Sequence, residues 1–153
     1  MNEVLNPFII KLANASDVIK ILPLLEQLGH PQDTDNFKKR YLEFVAAPGY
    51  GVAIAQQEDT IIGMIAWSKA LLLVSNAVRI RVEGLVVDQK HRGQRVGDQL
   101  MNFFENFSKQ FSPCIIEVTS GARHVKDGAD KFYYKLGYKN AGQMEKLYLR
   151  KYL

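Results

Sequence analysis

The stretch Val82–Leu100 reads VEGLVVDQKHRGQRVGDQL and changes character twice along its length. It begins with an apolar, β-branched run up to Val87, which is typical of a buried strand. A polar segment with three basic residues and a glycine follows at Asp88–Gln94. Apolar residues then recur every three to four positions, as on one face of a helix: Val96, Leu100, Phe103, Phe104, Phe107 and Phe111. The stretch therefore predicts a strand, a basic loop and a helix.

The start of this predicted helix has the properties of an anion-binding site. The first turn of a helix leaves backbone N–H groups without partners, and the positive end of the helix dipole lies there. Such groups bind phosphate oxygens, and Arg92 and Arg95 add positive charge beside them. No Gly-Lys-Ser/Thr follows the loop glycines, and Gly93 and Gly97 do not form G-x-G-x-x-G. The loop is therefore neither a P-loop nor a dinucleotide fingerprint.

The segments before and after the helix predict a mixed sheet. Three strands joined by short turns precede the loop and form an antiparallel run: Tyr50–Gln57, Ile61–Leu73 and Val78–Val87. The run Cys114–Thr119 is a further apolar strand. Because strand–helix–strand units are right-handed with parallel strands, Cys114–Thr119 should lie parallel to Val78–Val87.

Other elements are predicted at both ends of the chain. Pro7–Ala13 is a first strand, and a helix follows between Ser16 and Gly29, with a kink or break expected at Pro23. A second helix begins near Asp33–Asp35. The C-terminal part predicts a helix and a strand: Asp127–Leu136 and Met144–Lys151.

Composition favours one soluble domain over residues 1–153. The chain is 47% hydrophobic and 24% charged, with one cysteine and a net charge of +4. No apolar run approaches the ~20 residues of a membrane span, and MNEVLNPF does not resemble a secretory signal. The lone Cys114 fits a reducing compartment, so a cytoplasmic location is expected. The basic residues are dispersed, and we expect neither a nucleic-acid partner nor a membrane partner.

Two sequence motifs together identify a family more specifically than either does alone. Arg92–Gly97 resembles the pyrophosphate loop Gln/Arg-x-x-Gly-x-Gly/Ala of the GNAT superfamily of N-acetyltransferases, with Arg95 in place of the middle glycine. Phe132–Tyr138 reads FYYKLGY and resembles the F-Y-x-x-L-G-F/Y element of the same superfamily. The two motifs occur in the family's order, some 35 residues apart, and together span about Val82–Tyr138. On both motifs the chain is identified as a member of this superfamily.

The resemblance implies an α+β fold with a mostly antiparallel sheet, flanked by about four helices. The sheet would splay between its two parallel strands, and acetyl-CoA would lie in the opening as a cosubstrate. The residues implied in binding it are Leu85, Val86, Val87, Arg92, Gly93, Gln94, Arg95, Val96, Gly97, Asp98 and Tyr133. An extended, amide-rich arm can add to a strand edge through main-chain hydrogen bonds, which gives the opening a physical purpose.

Acetyl transfer to an amine needs a base, because an amine with a pKa of ~10.4 is protonated at neutral pH. Two carboxylates lie on the strands that flank the expected opening. Glu83 is two residues before Leu85 and should share its strand face, and Glu117 interrupts an apolar strand. His124 is a third candidate, and an ordered water is a fourth. In the resembling family the tyrosine at Tyr133 is often the acid that protonates the leaving thiolate.

The sequence therefore predicts direct acetyl transfer from acetyl-CoA to a primary amine. The acceptor remains open between a small amine, an amino acid or antibiotic-like amine, and a protein amino group. The alternative is a non-catalytic acyl-CoA-binding or regulatory module with the same fold. The three histidines and one cysteine show no metal-ligand spacing, so no metal is expected. The choice between monomer and homodimer is also left open.

Overall fold

The computed structural model describes residues 7–119, 128–140 and 149–153. The chain divides into two units, Met1–Val118 and Thr119–Leu153. The single domain expected over residues 1–153 stays a prediction. None of the helices in the described ranges is long and apolar enough to cross a membrane.

Five strands of the first unit form one mixed sheet in chain order. They are β1 Ile9–Leu12, β2 Gly51–Gln57, β3 Thr60–Ala70, β4 Val78–Val87 and β5 Cys114–Glu117. The first four strands pair antiparallel in sequence, and β5 pairs parallel with β4. The predicted antiparallel run, the predicted parallel pair and the α+β class are confirmed.

Four α-helices accompany these strands in the described ranges. They are α1 Val18–Gln27, α2 Thr34–Ala46 and α3 Val96–Ser108 in the first unit, and α4 Ala129–Lys135 in the second. The predicted break at Pro23 is wrong, because α1 runs through it. The N–H that proline lacks would have bonded the carbonyl of Ile19, and both residues are exposed, so water can serve that carbonyl.

The three helices of the first unit cover opposite faces of the sheet. Side chains alternate along β3, so Met64 joins the apolar cluster beneath α1 and α2, which includes Ile21 and Tyr41. Trp67 faces the other side and packs 5.3 Å, centroid to centroid, from Phe104 of α3. The sheet is therefore buried on both faces, and this accounts for the long apolar runs in β2 and β3.

A glycine allows α3 to begin close to the sheet. A Cβ placed on Gly63 of β3 would lie 3.0 Å from Cγ1 of Val96 and 3.1 Å from Cδ1 of Leu100. These distances are shorter than ordinary van der Waals contact, so a larger residue would push the first turn of α3 away. Gly63 thus determines how near the helix start lies to the end of β4, since Gly63 pairs with Val87.

Two predicted strands differ from the structure. β3 ends at Ala70, not at Leu73, and Leu71, Leu73 and Val74 are exposed in the following loop. Most of the predicted strand Met144–Lys151 lies outside the described residues, and its last residues, 149–151, are not in a strand.

Candidate functional site

The strand β4 has two paired edges along only part of its length. Its parallel pairing with β5 starts at Val78 with Cys114 and ends at Arg81 with Glu117. On the opposite edge, β4 pairs with β3 as far as Val87. Within the described ranges, no strand pairs with the β5 side of residues 82–87. This part of β4, called here the open edge, can therefore offer backbone N–H and C=O groups to a ligand.

The start of α3 follows the open edge after the loop 88–95 and lacks a side-chain cap. Arg95 is the N-cap residue and makes no capping hydrogen bond from its side chain. The first backbone bond of the helix runs from the N–H of Gln99 to the carbonyl of Arg95. The N–H groups of Val96, Gly97 and Asp98 therefore have no partner within the helix, which is the arrangement that binds phosphate.

Two positive φ angles shape the loop before this helix. Gly93 has φ +80°, and Arg95 has φ 64° and ψ 18°, which is the left-handed helical region. A residue with a Cβ is strained there, and glycine is not. This explains physically why the resembling family places a glycine at the position of Arg95. Arg95 therefore adopts a left-handed conformation at the expense of local strain.

A polar network that the sequence pattern does not reveal holds the loop at its first residue, Asp88. The Asp88 carboxylate accepts a hydrogen bond from Nε2 of Gln27 at 2.8 Å and lies 2.7 Å from Nδ1 of His91. Gln27 also accepts from the backbone N–H of Gln89 at 2.9 Å. The Gln27 hydrogen bond, helped by His91, lowers the pKa of Asp88. Asp88 therefore ties the loop to α1, and His91 acquires a structural role.

The side chain of Glu83 lies on the α1–α2 face of the sheet because β4 has a bulge. Ala66 of β3 pairs with Gly84, but the next residue, Trp67, pairs with Val82, so Glu83 is one extra residue. The expectation that Glu83 shares a face with Leu85 is wrong for this reason. Ser68 donates a hydrogen bond from Oγ to Oε1 of Glu83 at 2.5 Å. The hydroxyl thereby holds the carboxylate in one orientation.

Glu83 borders a cleft of about 450 Å³ on that face. The cleft lies between the sheet and the α1–α2 pair, and Gly84 lines it next to Glu83. Leu25 and Leu28 come from the end of α1 and the residue after it, and Phe37, Tyr41 and Phe44 come from α2. A carboxylate at the edge of a largely apolar cleft can bind an ammonium group and accept its proton.

Glu117 has partners that the sequence pattern does not reveal. Its Oε2 lies 3.3 Å from Nη2 of Arg81 and 3.8 Å from Nε of Arg79. The carboxylate therefore forms ion pairs with two arginines of β4, where the two parallel strands are still joined. This pairing gives Glu117 a structural role at the last rung of the β4–β5 ladder.

In the second unit, α4 carries the predicted tyrosine. Burial raises the pKa of Tyr133, and its ring lies 5.2 Å from that of Phe132 and 6.0 Å from that of Tyr138. Tyr134, one position along, is exposed. The two neighbouring tyrosines therefore differ in exposure. A raised pKa keeps the phenol protonated through the neutral range, as a proton donor requires.

The remaining predicted residues differ in which of their atoms a ligand can reach. Val86 and Val96 have buried side chains, so only their backbones can meet a ligand. Arg92 is exposed, and its Nε donates to the carbonyl of Val87 at 3.3 Å, which brings its guanidinium to the end of β4. Gln94 is half-buried in the loop. His124 lies outside the described residues.

Comparison with known proteins agrees with these observations. A family described as "Acetyltransferase (GNAT) domain" matches residues 48–140, more than half of the chain. No curated protein matches the sequence.

Several solved structures resemble this one over most of their length. A GNAT family acetyltransferase from Staphylococcus aureus is 25% identical, with a TM-score of 0.72 and 92% of this chain and 98% of the other covered. Glucosamine-6-phosphate N-acetyltransferase from Arabidopsis thaliana is 20% identical, with a TM-score of 0.78 over 94% and 99%. Ribosomal-protein-alanine N-acetyltransferase from Brucella melitensis is 15% identical, with a TM-score of 0.75 over 95% and 99%. At 20% and 15% identity, the last two show a shared fold alone.

The strain at Arg95 predicts an unusual stabilising substitution. Arg95→Gly should raise the free energy of unfolding by about 0.5–1 kcal/mol, because relief of the left-handed strain exceeds the added entropy of the unfolded chain. Urea denaturation measures it. Arg95→Ala is the matched control, since it removes the same guanidinium but keeps the Cβ and should give no gain. Equal effects of the two substitutions would contradict the strain argument.

Proposed function

The chain belongs to the GNAT family of acetyltransferases, and from that premise we propose that it transfers an acetyl group from acetyl-CoA to a primary amine. The observation that carries the proposal is the open edge of β4 beside the uncapped start of α3. The acceptor is an amine of a small molecule or of a protein. A cytoplasmic location is part of the proposal, and the lone Cys114 supports it.

Acetyl-CoA would bind with its pyrophosphate at the start of α3 and its pantetheine arm along the open edge of β4. Its pyrophosphate would accept hydrogen bonds from the backbone N–H groups of Val96, Gly97 and Asp98. Arg92 and Arg95, both exposed, would supply positive charge next to them. The amide groups of the pantetheine arm would pair with the open edge at Leu85–Val87 as an added strand does. The exposed carboxylate of Asp98 repels phosphate, so its contribution would come from the backbone alone.

The reaction consists of one substitution at the thioester carbon. The amine nitrogen forms a bond to that carbon while the carbon–sulfur bond breaks, and the amine gives up a proton. We propose that Glu83 accepts this proton directly or through one water molecule. Backbone N–H groups on the open edge would stabilise the negative charge that develops on the carbonyl oxygen. Tyr133 would give a proton to the departing sulfur.

Glu83 is a better base than Glu117 for a geometric reason. Glu83 borders the cleft and has a neutral hydroxyl, that of Ser68, as its hydrogen-bond partner. Glu117 has two guanidinium groups as partners, and accepting a proton would weaken both ion pairs. The support for Tyr133 is its position in the FYYKLGY motif and the raised pKa of its phenol.

The assignment of Glu83 as the base is tested by measuring the release of free thiol from acetyl-CoA in the presence of an amine. Glu83→Gln should lower kcat by about 10²–10⁴-fold while CoA affinity in calorimetry stays the same. The loss should shrink as pH rises toward the amine pKa of ~10.4, because more of the acceptor is then neutral without a base.

The matched variant is Glu117→Gln, which should leave kcat of the folded protein nearly unchanged. If Glu117→Gln abolished turnover and Glu83→Gln did not, the assignment to Glu83 would be wrong. CoA binding without thiol release from any amine would instead support a non-catalytic acyl-CoA-binding module.

Substitution of each of the two adjacent tyrosines of α4 tests whether Tyr133 is the acid that protonates the leaving sulfur. Tyr133→Phe keeps the ring and its packing but removes the proton, so kcat should fall roughly 10- to 1000-fold, in line with the ~10²–10⁴ of such catalysis. Tyr134→Phe removes an exposed hydroxyl and should leave kcat as it is. Full turnover of Tyr133→Phe, measured where the chemical step limits the rate, would exclude Tyr133 as the acid.

A further inference from the structure

We propose that the acceptor is a small primary amine with one positive charge on an apolar, preferably aromatic, body, and that the cleft beside Glu83 binds it. This inference rests on the acetyltransferase function proposed above. It narrows the substrate class from amines in general to monocationic apolar amines. A volume of about 450 Å³ lies within the ~300–1,000 Å³ of small-molecule sites.

Most of the residues that line the cleft are apolar, and the polar ones are His30, Gln32, Arg40 and Glu83. Its floor is formed by Val52, Met64 and Ala66 of the sheet, with Gly84 beside them. Its walls are Leu25, Leu28, Phe37, Tyr41 and Phe44. A sugar hydroxyl placed against these side chains would lose its hydrogen bonds to water without replacement, whereas an aromatic or aliphatic group would gain by burial.

Tyr41 adds to this apolar surface although it carries a hydroxyl. Its Oη donates a hydrogen bond to the carbonyl of Asn14 at 2.8 Å. Burial, with a smaller contribution from the negative charge of Asp17, raises the pKa of Tyr41 to about 12. The hydroxyl is thus occupied by the protein and stays protonated, so Tyr41 has chiefly its ring to present to a substrate.

The charges around the cleft favour a single ammonium group. Glu83 is the one carboxylate among the described residues that line it. Arg40 lies at the rim and donates a hydrogen bond to Gln32, and His30 is exposed nearby. One ammonium group can pair with Glu83, but a second would find no carboxylate in the lining and would meet the guanidinium of Arg40. A polyamine or a polycationic antibiotic is therefore disfavoured by charge.

A matched panel of amines tests the substrate class. The probes are 2-phenylethylamine and 3-methylbutylamine as apolar monocations, spermidine as a polycation, and glucosamine as a polar monocation. At one pH, kcat/KM for the apolar amines should exceed that for the other two by about tenfold or more. Preference for glucosamine or spermidine, or equal rates for all four, would overturn the inference while leaving the acetyltransferase function standing. Acetylation of none of them by a protein that binds CoA would overturn the inference. The acetyltransferase function would be contradicted only if protein amino groups were not acetylated either.

A reversal of charge at the rim tests the inference without disturbing packing. Arg40→Glu adds a second carboxylate to the exposed edge of the cleft and should raise kcat/KM for spermidine relative to 2-phenylethylamine by about tenfold. Lys39→Glu makes the same change in net charge on the neighbouring exposed residue, which does not line the cleft. It should leave the ratio unchanged. A ratio that stays the same in Arg40→Glu, or moves equally in both variants, would overturn the role of the cleft charges.

A substitution on α2 tests whether the apolar wall of the cleft binds the body of the acceptor. Phe37→Ala should raise KM for 2-phenylethylamine by about tenfold with a smaller effect on kcat, because it removes apolar contact and not chemistry. Leu42→Ala is the control, since Leu42 is an exposed apolar residue of the same helix outside the cleft. An unchanged KM in folded Phe37→Ala, verified by thermal unfolding, would contradict binding of the acceptor body at this wall.

Discussion

The interaction on which the site depends is the short parallel pairing between β4 and β5. Four rungs, from Val78 with Cys114 to Arg81 with Glu117, join the two strands. The ion pairs of Glu117 with Arg79 and Arg81 reinforce the last rung. Beyond it, β4 continues for six residues with β3 as its strand neighbour in the described ranges. Unpaired strand edges normally attract another strand, so an extended amide-bearing ligand is a natural occupant.

Two local features bring a helix start and a carboxylate close to this edge. Gly63 lets α3 begin close to the end of β4, so the uncapped helix start lies near the open edge. The bulge at Glu83 directs a carboxylate to the opposite face of the sheet, into the cleft beneath α1 and α2. In the proposed reaction, the edge of this strand binds the acyl donor and its face binds the acceptor amine. Transfer between them requires that both reach the same few residues of β4.

The sequence predicted the larger elements well because their causes are local. Apolar periodicity and turn residues located β2, β4 and the start of α3 to within a residue. The handedness of a strand–helix–strand unit predicted that β5 runs parallel to β4. The end of β3 was missed, because the apolar run continues to Val74 while the paired partner of Ala70 is already Arg79. Strand length is decided there by pairing and not by hydrophobicity.

The details of the candidate site depended on distant contacts that no local pattern contains. A bulge breaks the two-residue alternation by a single position, so counting from Leu85 assigned Glu83 to the wrong face. Arg81, a partner of Glu117, and Gln27, a partner of Asp88, come from other elements, 36 and 61 residues away along the chain. Their pairing could be found only once the strand register and the position of α1 were known.

The open edge is the central element of this account, and amide hydrogen exchange of β4 with and without CoA tests it most directly. The account predicts that saturating CoA slows the exchange of those amides of residues 85–87 that point away from β3. Amides paired with β3 in the same strand should change little. Tight binding of CoA, verified by calorimetry, with unchanged exchange throughout residues 85–87 would contradict the claim that this edge holds the acyl donor.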